Sequence, residues 1–409
     1  MNSVLLLEQF FYPEGWGGAQ LPRDVACHLA RNEWDVEVIC GSDQYAPVDG
    51  DPGKDPADDG VRVNRVPRLI GGTLRDRKLV RQLWFYAAAL PRILFRRSPA
   101  VFVTQTNPPL IVPLAALAAR IHRRPLVIIA QDLYPEVVFA HRMMREESIV
   151  GRVLARLFQW AYRQAGVVVS LGPVMTSRLL DKGVESGRVH VISNWATGDE
   201  SVVRGEENRL REAWGLAGRF VVVYSGNIGI AHDVETAILA VAEASRHDPR
   251  ITLAFIGKGT RLPEARALVA RLGVQSAVRF FDPVPFELLP HSLGLADFAL
   301  VTLRTGFEGL VVPSKALGYL ARGIPTLYVG PPSDIGTLVD DSGGGVVLPG
   351  GDWAGLASLL CSISSEPGRL SQMGESGASY YREHLDKAIA LEKYASLVRS
   401  LVAKHGDRR

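Results

Sequence analysis

The chain has 409 residues, of which 47% are hydrophobic and 22% are charged, a composition that excludes disordered and fibrous proteins. This length predicts two large domains. The 46 basic and 43 acidic residues give a net charge of +3, so any affinity for nucleic acid or anionic lipid must come from a local patch. The three cysteines are far apart and form no C-x-x-C pair, which excludes a zinc ribbon and a disulfide framework and favours a reducing compartment.

Short runs of β-branched residues alternate with helical segments along the first half of the chain. This alternation predicts a parallel sheet whose strands are joined by crossover helices. The strands are expected at residues 4–7, 36–39, 101–104, 126–130, 167–170 and 189–192. The helices are expected at residues 21–32, 81–95, 111–121 and 149–165.

A polar stretch at residues 197–208 leads into a second series of the same kind. Its strands are expected at residues 220–224, 251–256, 278–281, 298–303, 326–329 and 345–348. We therefore predict an α/β protein with two Rossmann-like, doubly wound parallel-sheet domains, residues 1–196 and 197–385, facing across a ligand cleft. A helix within residues 386–409 is expected to cross back onto the first domain.

Glycine-rich loops follow the first strand of each series. Gly17 and Gly18 stand directly before the first helix, and Gly226 and Asn227 belong to the loop SGNIGIAHD. Glycines at these positions let backbone amides approach a phosphate at a helix amino end. A loop that merely turns explains the first of them equally well.

Cations accompany two further loops of the second series. The loop IGKGTR carries Lys258 and Arg261, and VPSKALGYLARGIP carries Ser314 and Lys315 at the start of a helix. Surface cations are usually only solvated, but these follow buried strands. Because a lysine at a helix amino end opposes the helix dipole, Lys315 indicates a bound anion. Glu308, shortly before it, is a candidate ligand of ribose hydroxyls.

In the first domain, the segment QDLYPE places Asp132 and Glu136 at the end of a strand. A carboxylate pair so placed predicts a catalytic role, activating or orienting a hydroxyl. An aspartate that only caps the next helix is the alternative. The nine histidines show no H-x-x-H or H-E-x-x-H spacing, so no metal site is expected.

Several motifs in a fixed order carry a resemblance that covers nearly the whole chain. They are GGAQ, QDLYPE, VISNW, YSGNIG, FIGKG, FFDPVP, LADFALVTL, VPSKALGYLARGIP and GGGVVLPGGD. Together they resemble the family-four retaining glycosyltransferases of the GT-B architecture. The sequence looks most like the bacterial members that assemble surface polysaccharides and lipid-linked glycans.

The resemblance implies a configuration-retaining enzyme that requires neither a metal nor another cofactor. Its donor would be a nucleotide diphosphate sugar held mainly by the second domain, and we expect this donor to be UDP-linked. Gly18, Gly226 and Asn227 would approach the diphosphate, and the backbone of Val284 would contact the base. Asp132 would lie near the reacting carbon.

Two departures from the related sequences affect this assignment. Where many relatives carry the second carboxylate of an E-x7-E pair, this chain has Gly318, so Glu308 or Asp334 would hold the ribose. The usual cations of the first phosphate loop are also missing. Lys258 and Lys315 are therefore expected to neutralise the leaving diphosphate.

Residues 62–124 contain thirteen lysines and arginines but one acidic residue, Asp76. Because aromatic and aliphatic residues alternate with these cations, residues 75–97 predict a helix that lies on anionic lipid at the inner face of the cell membrane. Solvated arginines on an ordinary core helix are the alternative. No nucleic-acid-binding motif accompanies the patch.

The sequence therefore predicts a cytoplasmic, peripherally membrane-associated glycosyltransferase. Its partners would be a nucleotide sugar and a polyprenyl-diphosphate-linked glycan or polysaccharide acceptor, with no nucleic acid. Two alternatives stay open: a nucleotide-sugar epimerase of the same fold, and a catalytically silent subunit that binds a nucleotide sugar.

Overall fold

The structure is a computed structural model that describes residues 3–13, 17–41, 55–67, 78–95, 98–198 and 200–406. The chain forms two compact units. Unit 1 comprises Met1–Ser193 and Ala388–Arg409, and unit 2 comprises Asn194–Lys387. The domain ends expected from the sequence, residues 196 and 385, lie three and two residues from these boundaries.

Unit 1 contains a seven-stranded sheet whose neighbouring strands are all parallel. Its strands are β1 (Ser3–Leu7), β2 (Asp35–Cys40), β3 (Arg62–Arg65), β4 (Val101–Gln105), β5 (Leu126–Ile129), β6 (Val167–Ser170) and β7 (Val189–Val191). Its first six helices are α1 (Gly17–Arg31), α2 (Lys78–Leu94), α3 (Ile111–His122), α4 (Glu136–Ala140), α5 (Ile149–Gln164) and α6 (Pro173–Asp181). The strand order β3-β2-β1-β4-β5-β6-β7 reverses direction between β1 and β4.

Unit 2 contains a six-stranded sheet, again with only parallel pairs. Its strands are β8 (Phe220–Ser225), β9 (Ile251–Ile256), β10 (Val278–Phe281), β11 (Phe298–Thr302), β12 (Thr326–Val329) and β13 (Gly345–Leu348). Its helices are α7 (Arg209–Ala213), α8 (Glu235–His247), α9 (Leu262–Leu272), α10 (Leu289–Leu293), α11 (Lys315–Ala321), α12 (Asp334–Asp341), α13 (Trp353–Ile363) and α14 (Pro367–Tyr380). The order β10-β9-β8-β11-β12-β13 reverses between β8 and β11.

The last helix, α15 (Lys387–Gly406), packs on unit 1. Its His405 ring lies 3.0 Å from the Arg123 carbonyl oxygen, and Leu401 fills the space beside Gly166.

Apolar strands covered on both faces explain these sheets. Every residue of β4, β5, β6 and β9 is buried, as parallel strands between helix layers require. The prediction of two Rossmann-like, doubly wound parallel sheets is confirmed. Strand β3 was not predicted from the sequence, because this exposed edge strand, RVNR, carries two arginines and no apolar run. The predicted start of α1, Leu21, lies four residues after the observed start, Gly17.

Candidate active site

The carboxyl edge of the unit 2 sheet carries most of the predicted site residues. Open parallel sheets bind ligands where the strand order reverses, and in unit 2 this point lies between β8 and β11. Gly226 and Asn227 follow β8, Lys258 and Arg261 follow β9, and Lys315 begins the helix after β11.

Close backbone packing explains the glycines of the IGKG segment. The Ile228 amide donates to the Lys258 carbonyl at 2.8 Å. A Cβ atom on Gly257, whose φ is +151°, would lie 2.1 Å from the Gly226 carbonyl oxygen, and one on Gly259 would lie 2.2 Å from the Ile228 carbonyl oxygen. Only glycine fits at such distances, so these two residues hold the loop after β8 against the loop after β9.

Lys315 has the surroundings of a residue that binds an anion. Its Nζ atom is buried and has no hydrogen-bond partner among the described residues. This atom lies 3.6 Å from the centre of the Tyr224 ring, and a Cβ on Gly226 would be 3.7 Å from it. Burial lowers the pKa of Lys315 to about 7. Because a buried ammonium without hydrogen bonds is destabilising, an anion beside Gly226 would satisfy it.

Two buried tyrosines, which the sequence analysis did not single out, fix Lys315 against β8. Tyr319 follows Lys315 by one helical turn, and its hydroxyl accepts a hydrogen bond from the Ser225 amide at 3.2 Å. The Tyr224 hydroxyl donates to the Asn227 carbonyl at 2.8 Å. The only signal in the sequence was the spacing K-x3-Y, which places Lys315 and Tyr319 on one face of the helix.

His232, in the loop after β8, is a second neighbour of Lys315. Its Nδ1 atom lies 2.8 Å from the Thr302 carbonyl oxygen and must donate to it. Burial, together with the charge of Lys315, lowers the pKa of His232 to about 4. The ring is therefore neutral at physiological pH and presents Nε2 as an acceptor.

The cations of the loop after β9 differ in their surroundings. The Arg261 guanidinium is buried, pairs with Glu235 and Glu264, and donates to the His232 carbonyl at 2.9 Å. These contacts connect α8 to α9 and compensate the charge of Arg261. A contact between Arg261 and a diphosphate stays a prediction. Lys258 is exposed.

The remaining predicted residues of unit 2 lie in the segments that follow β10, β11 and β12. Both carboxylate oxygens of Glu308 accept from the Gly306 amide, at 3.0 and 2.9 Å. Asp334 is buried at the first residue of α12, Ser314 is exposed, and Val284 is partly exposed after β10. Their contacts with a donor stay predictions.

Arg322 lies beside Gly318, the position where the resemblance to the family would lead one to expect a second carboxylate. Its Nη1 atom donates to the Gly318 carbonyl at 2.9 Å, and a Cβ on Gly318 would lie 3.4 Å from the same atom. This distance is an ordinary van der Waals contact, so the Arg322 guanidinium leaves room for a Cβ atom at position 318.

Asp132 follows β5 in unit 1 and is held by its backbone. The amides of Gln131 and Asp132 both donate to the Thr106 hydroxyl oxygen, each at 3.0 Å. Burial raises the pKa of Asp132 to about 6. This carboxyl group can therefore exchange a proton close to neutral pH.

Glu136 has a different environment from Asp132, although the sequence suggested a pair. The buried Lys182 ammonium forms an ion pair with the Glu136 carboxylate and donates to the Tyr134 carbonyl at 3.4 Å. This contact ties α6 to the loop that carries Asp132. The sequence did not indicate Lys182, because it is 46 residues away from Glu136.

Glu8 is a further carboxyl group that the sequence analysis missed. It follows β1 directly, is buried, and accepts from the Gln105 amide at 2.7 Å. Burial raises the pKa of Glu8 well above its usual range. An acidic residue directly after a buried strand, in LLLEQF, was the available signal.

Gly17 and Gly18 are the first residues of the 15-residue helix α1, not residues of the loop before it, and their contact with a diphosphate stays a prediction.

Part of the predicted membrane segment, residues 75–77 and 96–97, lies outside the described residues. Within the described ranges, no helix has the length and apolarity that crossing a bilayer requires. The same part of the chain contains no group of three His, Cys, Asp or Glu side chains arranged to hold a metal ion.

Comparison with known proteins identifies the chemistry of this fold. Residues 17–195 match the model of the glycosyl transferase 4-like domain, and residues 206–380 match that of glycosyl transferases group 1. WbjE of Pseudomonas aeruginosa, named a probable glycosyltransferase, is 29% identical over 343 residues, which cover 83% of this chain and 84% of WbjE. A GDP-mannose-dependent alpha-(1-6)-phosphatidylinositol monomannoside mannosyltransferase of Mycolicibacterium smegmatis is 30% identical over 172 residues, 41% of this chain and 45% of that protein.

The crystal structure of Anabaena HepE in complex with UDP and glucose has the same fold. The TM-score is 0.71 at 18% sequence identity, and the superposition covers 98% of this chain and 100% of HepE. Together with the two domain matches and the two parallel sheets, these similarities identify the chain as a glycosyltransferase of the GT-B fold.

Proposed function

We propose that this glycosyltransferase moves a sugar from a UDP-linked donor to a lipid-linked or polysaccharide acceptor in bacterial surface-glycan synthesis, and that the sugar keeps its anomeric configuration. The observation that carries the proposal is the buried Lys315 ammonium, which lies beside Gly226 without a hydrogen-bond partner among the described residues. The UDP and glucose in HepE support this donor. The phosphatidylinositol mannoside in the name of the mycobacterial relative supports a lipid-linked acceptor.

In this mechanism Lys315 stabilises the negative charge that develops on the departing diphosphate. A positive charge held in a buried position needs no rearrangement during the reaction, and it acts more strongly there than in water. Lys258, exposed on the neighbouring loop, adds a second cation. We propose that these two lysines neutralise the diphosphate in place of a divalent cation. Transfer should therefore continue in the presence of a chelator.

On the acceptor side, Asp132 orients the attacking hydroxyl group. Its pKa of about 6 leaves the carboxylate ionised at neutral pH and able to accept the hydroxyl proton in a hydrogen bond. The Lys182–Glu136 ion pair keeps the Asp132 loop in position.

We further propose that the enzyme is cytoplasmic and binds the inner face of the membrane through residues 75–97. In the described part of this segment Leu83 and Phe95 are exposed, at 51% and 88%, whereas Phe85 is buried in the core. Exposed apolar side chains between arginines suit the headgroup region of an anionic bilayer.

A nucleotide panel tests the donor assignment. Thermal unfolding in UDP, GDP, ADP and CDP should show the largest rise in Tm with UDP, because binding to the folded state alone stabilises it by RT ln(1 + [L]/Kd). With a UDP-sugar and a polyprenyl-diphosphate-linked acceptor, NMR of the product should show the anomeric configuration of the donor. A larger rise in Tm with GDP would show that the donor carries guanine instead of uracil. A product with the inverted anomeric configuration would refute retention.

A further inference from the structure

Three neighbouring helices of unit 1, α2, α3 and α5, form a continuous surface. The ring nitrogen of His122 at the end of α3 lies 2.9 Å from the Ile93 carbonyl of α2. The Arg120 guanidinium lies 3.5 Å from the Gln164 side chain at the end of α5. The carboxyl ends of α2 and α5 therefore both contact the carboxyl end of α3, which lies between them.

These helices lack acidic residues altogether. The 17, 12 and 16 residues of α2, α3 and α5 contain no aspartate or glutamate, although 43 of the 409 residues in the chain are acidic. The nearest acids before α5 are Glu146 and Glu147, and Glu147 pairs with Arg145. The basic residues of the three helices are Lys78, Arg81, Arg92, Arg120, Arg152, Arg156 and Arg163.

Exposed hydrophobic side chains concentrate on the same three helices. Of the fourteen large hydrophobic side chains that are exposed in the described part of the chain, ten lie in these helices or in the segments that flank them. The ten are Leu83, Trp84, Phe95, Leu117, Ile121, Met143, Ile149, Val150, Val153 and Leu157. Scattered single exposures are normal, but a cluster on adjacent helices marks an interaction surface.

Helix α5 has the clearest pattern. Ile149, Val153 and Leu157 recur every fourth residue and are 76%, 56% and 36% exposed. Arg152 and Arg156 form an exposed row beside them, while Phe158 and Tyr162 on the opposite face are buried in the core. The solvent-facing side of α5 is thus an apolar row next to a cationic row.

We propose that α5 and the exposed part of α3 lie on anionic lipid, so that the bilayer contact extends well beyond residues 75–97. The proposal rests on the proposed lipid-linked acceptor. Charge complementarity selects lipid as the occupant, because the helices offer arginines but no carboxylates. The apolar row of α5 enters the headgroup region and the arginine row binds phosphate groups, as interfacial amphipathic helices do.

Vesicle sedimentation of the full-length protein tests this surface without any substrate. The vesicles are phosphatidylcholine alone or phosphatidylcholine mixed with phosphatidylglycerol. We expect the wild type to bind only the anionic vesicles. Ile149→Asp/Val153→Asp and Arg152→Glu/Arg156→Glu should each lower the bound fraction at least tenfold.

Matched controls separate this site from general effects of charge and hydrophobicity. Lys393→Glu/Arg399→Glu on α15 changes the charge by the same amount, and Trp353→Asp on α13 removes an exposed apolar side chain of unit 2. Both control variants should bind like the wild type. Equal losses in the controls, or wild-type binding by both α5 variants, would overturn the proposal.

Size-exclusion chromatography with light scattering tests a second copy of the chain as the occupant. A wild-type dimer that Ile149→Asp/Val153→Asp converts to monomer, without vesicle binding, would also overturn the proposal. Failure of the proposed function would look different, because UDP would then give no Tm shift whether or not the protein bound vesicles.

Discussion

The Lys315 ammonium lies 3.6 Å from the centre of the Tyr224 ring, at the point where the strand order of the unit 2 sheet reverses. The face of the Tyr224 ring attracts the ammonium, but the ammonium donates no conventional hydrogen bond to any described residue. The Lys315 charge is thus buried and only partly compensated. This arrangement favours binding of an anion over stability of the empty protein.

Lys315→Met should separate catalysis from folding. Loss of one preorganised charge contact is expected to lower kcat by about 10² to 10³. Removal of a buried, unpartnered ammonium should raise the free energy of unfolding by on the order of 1–3 kcal/mol. Steady-state kinetics and urea denaturation measure the two effects, with Lys393→Met on α15 as an exposed control. Near-wild-type kcat would contradict the catalytic role of Lys315, and a lower free energy of unfolding would indicate a structural role.

Donor affinity should fall as the pH rises above 7. The folded pKa of Lys315 is about 7, below the usual lysine value, so the empty site loses its proton above that pH. Because the diphosphate binds the protonated lysine, binding above pH 7 must take up a proton. Calorimetry with UDP between pH 7 and 9, above the phosphate pKa of about 6, should show weakening of up to tenfold per pH unit. Lys315→Met should show no such slope, and a flat wild-type profile would contradict the assignment.

Glu308 is the carboxylate that we expect at the ribose, because it is part-exposed whereas Asp334 is buried. Glu308→Gln keeps an oxygen for the Gly306 amide but removes the charge. Donor KM should rise while kcat changes little, since a ribose contact exists in the ground and transition states alike. The variant should also lose the preference for UDP over 2′-deoxy-UDP. If Asp334→Asn loses this preference instead, the ribose contact belongs to Asp334.

Asp132→Asn should abolish transfer but leave UDP binding unchanged. The carboxyl pKa is raised to about 6, so the wild-type rate should increase as the pH rises through about 6 and the carboxylate forms. Glu136→Gln, which disrupts the ion pair with Lys182, should have a smaller effect on the rate. Equal losses in both variants would show that the loop as a whole, not the Asp132 carboxylate, is needed.

Gly259→Ala should lower Tm and weaken UDP binding together. Its Cβ would meet the Ile228 carbonyl oxygen at 2.2 Å, so the loops after β8 and β9 must separate. Gly187→Ala is the control, because a Cβ there meets nothing within 4 Å and should change stability by about 0.5 kcal/mol or less. Normal UDP binding by Gly259→Ala would show that the loop contact is not needed for the donor.

The sequence predicted those features that local patterns determine. Runs of β-branched and other apolar residues predicted twelve of the thirteen strands in the described part of the chain and the two parallel sheets, and helix-start residues indicated Lys315. The edge strand β3 escaped because its residues are mostly exposed and no apolar period marks it. The edge strands β7 and β13 are also incompletely buried, but VHV and GVVL carry β-branched residues that predicted them.

Contacts between distant parts of the chain could not be predicted in the same way. The Lys182–Glu136 ion pair and the Glu8 contact with the Gln105 amide span 46 and 97 residues. The partners of Arg261 are closer, but both are acids on helices whose packing determines the contact. Such pairings depend on tertiary structure, which local sequence patterns do not specify.

The affinities of UDP and of uridine for the wild type and for Lys315→Met test the central claim most directly. If Lys315 binds the diphosphate, the substitution should lower the affinity for UDP by about 10- to 100-fold, which is the loss expected for a hydrogen bond to a charged group. The affinity for uridine should not change. Calorimetry provides all four dissociation constants. Equal weakening of UDP and uridine, or no weakening of either, would contradict the assignment of Lys315 to the diphosphate.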